Sequence, residues 1–291
     1  MIAQNFASVI EAGFGRKMHM KVKELIEEII VKSGSPRFEY DKTCDHLMIG
    51  DPEMEVNGIV TTFMATVDVI RKAKELGANM IITHEPTWFT GPDKEDWLTD
   101  DPVYLAKKKM IEDMGIAIWR FHDHMHAGTE DGIYRGFDEE FGWEKYREKE
   151  GRGFGASYEI PETTLEGLAQ FFKDKLQMDV IQLVGNPEMK VKRVGVLVGG
   201  GSLGLGVENM PMIYMKEKNI DVCVCGDITE WTLSAYVRDA AQLGLNKGMI
   251  VLGHERSEEC GMKHLPKWLK SITKDIPVTF VDAGEPFTYL S

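Results

Sequence analysis

The stretch "VDVIRKAKELGANMIITHEP", residues 67–86, reads as a helix stopped by Gly77, then a short buried strand, then a histidine and a glutamate side by side. Helix to strand, with polar residues at the strand's carboxyl end, is the unit of an α/β layer. His84-Glu85-Pro86 leaves two interpretations open. A polar strand end followed by proline is an ordinary turn signal, and adjacent imidazole and carboxylate groups are also one edge of a metal site.

Working outward, the same grammar recurs. "KVKELIEEIIVKSG" (21–34) carries Val22, Leu25, Ile26, Ile29 and Ile30 at helical spacing, "GIVTTF" (58–63) reads as a strand, "VYLAKKKMIEDMG" (103–115) as a helix and "IAIWRF" (116–121) as another strand. The charged, glycine-bearing stretch "FDEEFGWEKYREKEGRGFGAS" (137–157) has weak periodicity and predicts a boundary near residues 136–158. Beyond it come the helix "TLEGLAQFFKDKL" (164–176), the strands "VIQLVG" (180–185), "RVGVLVGG" (193–200) and "DVCVCG" (221–226), the helix "LSAYVRDAAQLG" (233–244) and the strand "GMIVLG" (248–253). The expected fold is α/β: two similar units with mixed, largely parallel sheets flanked by helices. The units span 21–145 and 146–291, the last segment packing back on the first, and residues 1–20 form a loosely attached extension.

The repeat is closer than grammar. "AYVRDAAQLGLNKGMIVLGHERSE" (235–258) again runs helix, Leu-Gly stop, apolar strand and His-Glu, at His254-Glu255. Both pairs stand at carboxyl ends of strands, where sites form in open α/β sheets.

Composition narrows the function. A formal charge of −13, with no basic block, disfavours general nucleic-acid binding. The four cysteines, Cys44, Cys223, Cys225 and Cys260, are too scattered for a disulfide-stapled fold, and no apolar run is long enough to span a bilayer. A cytoplasmic location follows by elimination.

The eight histidines cluster: His84, then His122, His124 and His126 in "FHDHMH" (121–126), then His254. Strand alternation through 122–126 would put its three imidazoles on one face and Asp123 on the other. In "GHERSEE" (253–259) His254 and Glu258 are four apart, on one face of a helical turn, although first-turn acids such as Glu255, Glu258 and Glu259 also complement a helix amino terminus without any metal. Together the three segments favour a metal site with nitrogen and oxygen donors suited to zinc, iron or manganese. A GxGxxG match at Gly199–Gly204 lacks a well-placed acid other than Asp227 and is a weak dinucleotide signal. No nucleophile elbow, Walker loop or HExxH helix occurs in context.

From Lys21 to its end the chain resembles the Nif-three-like proteins, also called dinuclear metal-centre hexameric proteins or GTP cyclohydrolase 1 type 2 homologues. The segments that carry the likeness are "CDHLMIGDP" (44–52), "ELGANMIITHEP" (75–86), "HDHMHAGTEDGI" (122–133), "GFGASYEIPETTLEGLAQFFKDKL" (153–176), "RVGVLVGGGSLG" (193–204), "CGDITEW" (225–231) and "GHERSE" (253–258). The resemblance implies two divalent ions per chain, held by His84, Glu85, His126, His254 and Glu258. The family usually has a second histidine where Glu85 stands and an aspartate where His126 stands, so the two positions are expected to exchange roles inside one coordination sphere. His122, Asp123 and His124 are reserve ligands or supports for the imidazoles. The implied chemistry is metal-dependent hydrolysis of a small nucleotide-like or cyclic amide substrate, with Glu255 or His124 shuttling the proton, in a homohexamer. A non-catalytic metal carrier, sensor or scaffold remains the alternative.

Overall fold

The computed structural model describes residues 20–149 and 154–290. The expected extension over 1–20 therefore lies, Met20 apart, outside the described residues.

The first unit runs α1 (Val22–Ser33), β1 (Leu47–Ile49), β2 (Ile59–Thr62), α2 (Val67–Glu75), β3 (Met80–Thr83), α3 (Pro102–Met114), β4 (Ala117–Arg120), the single turn α4 (Asp123–His126) and α5 (Gly132–Phe141). The second runs β5 (Ala156–Thr164), α6 (Leu165–Lys175), β6 (Gln182–Val184), β7 (Lys190–Leu197), α7 (Met210–Glu217), β8 (Val222–Cys225), α8 (Leu233–Gln242), β9 (Gly248–Val251), α9 (His254–Thr273) and β10 (Val278–Phe280). The helices begin and end where the sequence supplies the chemistry. Asp101 caps α3, followed by Pro102, and Gly115 in the left-handed region ends it.

Two five-stranded sheets result, in the orders β1-β4-β3-β2-β10 and β5-β7-β8-β9-β6. β2, β3, β4 and β10 run parallel with β1 antiparallel at the edge, and β7, β8 and β9 run parallel between antiparallel β5 and β6. This is the mixed, largely parallel α/β architecture expected. β10 comes from the end of the chain yet pairs with β2 of the first sheet, so α9 crosses from one sheet to the other.

The strands are buried on both faces. Met80 and Ile82 of β3 point into the core between the sheets while Ile81 points outward against α2 and α3, and Val222 and Val224 of β8 alternate in the same way with Cys223 and Cys225. The two cysteines thus serve as small apolar packing in the outer core. Leu25, Phe137, Phe172 and Leu265, from α1, α5, α6 and α9, fill the space between the sheets. The layers stack helix, sheet, helix, sheet, helix.

One local expectation gives way. Residues 137–141, expected in the weakly periodic boundary, are the end of α5. Phe137 and Phe141 pack against Trp143 and Phe172, and that burial outweighs the charged residues between them.

Candidate metal centre

Every strong donor stands just beyond a parallel strand: His84 and Glu85 after β3, His122 and His126 after β4, His254 and Glu258 after β9. The carboxyl ends of both sheets thereby meet between the units.

The histidine-rich segment is not a continued strand. β4 stops at Arg120, and the buried Asp45 carboxylate accepts the backbone N–H groups of His122, Asp123 and His124 at 2.8, 2.8 and 2.9 Å, winding the chain into α4. Alternation is replaced by helical spacing. His122 and His126 share one face, their ring centroids 4.6 and 5.0 Å from that of His84. His124 turns the other way, its Nδ1 2.7 Å from Asp45 Oδ2 and its ring against Phe38. The proton shuttle expected of His124 is therefore not supported by its position.

Four imidazoles are held alike. The Nδ1 atoms of His122, His126 and His254 lie 2.8, 2.9 and 2.8 Å from carboxylate oxygens of Asp123, Asp131 and Asp227, and that of His84 lies 3.3 Å from the Phe121 carbonyl. A carbonyl or carboxylate only accepts, so each Nδ1 carries hydrogen and each Nε2 is the atom left for a ligand. Asp131 does double work, since its other oxygen caps α5 by accepting from Ile133 and Tyr134.

The Nε2 atoms face two carboxylates. Glu258 Oε2 is 3.4 Å from His84 Nε2 and 3.1 Å from His254 Nε2; Glu85 Oε1 is 3.2 Å from His254 Nε2 and 3.8 Å from His122 Nε2. Yet His84 Nε2 and Glu258 Oε2, both buried, have no partner in hydrogen-bond geometry. Buried polar atoms without partners are costly, and lone pairs converging on a common space rather than on one another fit a cation. Donor atoms of His84, His122 and His126, and of His84, Glu85 and Glu258, each come within 4.8 Å of one another. His122 is thus inside the cluster. Glu85 meets His254 and His84, and His126 joins His84 and His122.

The electrostatics suit a shared positive charge. Burial disfavours the charged ring of His84 and keeps it neutral, with its Nε2 lone pair free. Burial also works against charge on His126 and His254, but Asp131 lifts the first to about 9, and Asp227, Glu258 and Glu85 lift the second to about 12. Burial would raise Glu258 and Glu85, and the neighbouring imidazoles outweigh it, holding both carboxyls below their ordinary range. Protons and a divalent cation compete for these same lone pairs.

The glycine-rich segment roofs the cluster. Gly199, at φ 49°, lies so close that a Cβ there would collide with Glu258 Oε1 and come within 2.7 Å of His254 Nε2. Its role is close approach.

Glu255 follows His254 by one residue and turns away from the donors, toward Glu259 and Asp282. Burial pushes it up to about 8, and it lines the same cavity as Glu85 and His254 while its carboxylate groups with Glu259 and Asp282. Three supporting residues, Asp45, Asp131 and Arg120, escaped the sequence reading, and Gly199 entered it only as the start of the GxGxxG match. Asp131 in "TEDGI" was visible as a cap signal, while the others act through long-range contacts. A cavity of about 730 Å³ opens beside Glu85 and His254, bounded also by Phe63, Arg256, Phe287 and Tyr289.

The chain is also similar to known proteins. The chain is 25% identical over 253 residues to a GTP cyclohydrolase 1 type 2 homolog of Clostridium perfringens, covering 84% of this chain and 90% of that one. It is 27% identical over 258 residues to the homolog of the same name from Clostridium acetobutylicum, covering 83% and 91%. Among solved structures, a hypothetical protein of Staphylococcus aureus superposes with a TM-score of 0.71 at 22% identity, covering 94% of this chain and all of that one. A Bacillus cereus protein related to NIF3 gives a TM-score of 0.71 at 17% identity over 94% of this chain and 100% of its own, and both share the fold. The family model described as Duf34/NIF3 (NGG1p interacting factor 3) matches residues 20–286, and the chain belongs to that family.

Proposed function

We propose that the protein is a dinuclear metal-dependent hydrolase acting on a small nucleotide-like or cyclic amide substrate. The observation that carries this reading is the set of four imidazoles, each supported at Nδ1, converging with Glu85 and Glu258 on a space where His84 Nε2 and Glu258 Oε2 lack partners. In this reading His84, His122 and His126 hold one divalent ion, Glu85 and His254 hold a second, and Glu258, between His84 and His254, serves both. Zinc, iron and manganese all suit such donors.

When bound, the ions supply Lewis acidity that lowers the pKa of a water and polarises the group it attacks. The chain's own residues do the rest. Asp123, Asp131 and Asp227 keep hydrogen on the Nδ1 atoms, so that Nε2 stays the donor. Phe63, Phe287 and Tyr289 give the adjacent cavity apolar and aromatic walls, and its size is that of ordinary small-molecule sites. The names of the clostridial relatives favour a purine-like ring as the class to test first. The reading also carries a homohexamer in the cytoplasm, in keeping with the four free cysteines.

Purified protein is expected to hold about two divalent ions per chain by elemental analysis. The loaded protein is then screened against nucleotides, phosphoesters and cyclic amides. Metal-dependent turnover on one class is expected. Ions without turnover on any class overturn the hydrolase and leave a metal carrier or sensor, and a chain that binds no ion overturns both.

A further inference from the structure

Glu85 does not reach the centre as a free side chain. Arg120, the last residue of β4, stands beside it on the neighbouring strand and is 3% exposed. Its three guanidinium nitrogens are each committed: Nε donates to the His84 carbonyl at 3.1 Å, Nη1 to the Gly91 carbonyl at 2.6 Å and Nη2 to Glu85 Oε2 at 3.0 Å. Two backbone carbonyls thus fix the fork, and the fork fixes one oxygen of the carboxylate. The other, Oε1, is turned toward His254 Nε2 at 3.2 Å.

A carboxylate left to itself offers a cation either or both oxygens from several rotamers. With Oε2 taken by a buried guanidinium, Glu85 has a single oxygen to give and part of its charge already balanced. It then presents one directed lone pair, as an imidazole would. Among the described residues Arg120 donates to no other carboxylate and to neither ring of His122 and His126, and it meets His84 at the backbone carbonyl, not at the ring.

We propose that Arg120 is a positioning residue that makes Glu85 a one-oxygen ligand and so sets the affinity of the position Glu85 shares with His254, while the position formed by His84, His122 and His126 does not depend on it. This rests on the dinuclear reading above.

The test is cobalt(II) binding to metal-free protein, followed by visible absorption and by competition with a chromogenic chelator, in wild type, R120Q, E85Q and the double variant. Wild type is expected to take up about two ions. R120Q should weaken one of them by about 10- to 100-fold, the usual effect of removing a support behind a ligand, and leave the other unchanged. E85Q should weaken the same ion, and the double variant should be no weaker than E85Q, because the arginine acts only through that carboxylate. R120K keeps the charge without the fork and serves if R120Q melts at a lower temperature, with the same selective loss expected. Two unchanged affinities in R120Q or R120K, or equal weakening of both ions, overturn the positioning role and leave the dinuclear reading standing. Wild type that binds no cobalt overturns that reading, and the role of Arg120 with it.

Discussion

Asp227 illustrates how much of the candidate centre rests on residues outside the donor set. It follows β8, a strand that supplies no donor of its own, and its carboxylate lies 2.8 Å from His254 Nδ1. Without it the imidazole loses both its orientation and the preference that keeps Nε2 as the donor. Asp227→Ala should lower affinity for a divalent ion by about 10- to 100-fold, measured by chelator competition, with the unfolding midpoint of the metal-free protein nearly unchanged because the aspartate is partly exposed. Full affinity in that variant would show that the ring is held by its packing against Phe63 instead. At this scale the sequence was readable for donors and, apart from the adjacent Asp123, not for their supports. His84, Glu85, His254 and Glu258 announce themselves by adjacency or by four-residue spacing, whereas the pairings of Asp227 with His254 and of Asp45 with His124 span 27 and 79 positions.

At the scale of elements, α9 decides whether the centre forms. It begins at His254, carries Glu258 one turn later and packs on α5 with almost no space between the backbones. A Cβ on Gly136 of α5 would lie 2.5 Å from the Cys260 carbonyl and from Gly261 Cα of α9, and these are backbone atoms that cannot swing aside. Gly136→Ala should therefore push α9 outward, at a cost of about 1–3 kcal/mol read from urea unfolding. Metal affinity should fall with it, because His254 and Glu258 ride on the displaced helix. A variant as stable as wild type with undiminished affinity would mean the helices can separate without moving their amino ends. The sequence marked the start of α9 by its first-turn acids, but spacing along one helix carries no information on how closely two helices approach.

For the whole molecule, an ion bound at the candidate centre would act as a tie. His84, Glu85, His122 and His126 extend from the first sheet, and His254 and Glu258 from the helix that leaves the second and returns as β10 to the first. A cation held only when these groups converge stabilises the folded form by mass action, about 2.7 kcal/mol at a free concentration 100 times its Kd. Chelation is expected to lower the melting temperature by several degrees, and re-addition of zinc or manganese to restore it. A melting curve indifferent to chelator would mean that the units are held by the apolar core between the sheets alone. Among the described residues no helix is long and apolar enough to cross a membrane.

What the sequence by itself determined is local: the alternation of helices and strands, the duplicated helix-strand-His-Glu unit and the residue types of the donors. Each depends on neighbours three, four or two positions away, distances at which backbone geometry alone sets what meets. The tertiary structure decided which way the donors turn. His124 and Glu255 carry the right chemistry but face Asp45 and Asp282, and His124 parts from His122 and His126 because Asp45 winds the chain into a turn, where a continued strand would have kept the three on one face. Those outcomes rest on contacts between segments far apart in the chain, where burial and unpaired polar atoms, not spacing, select the arrangement.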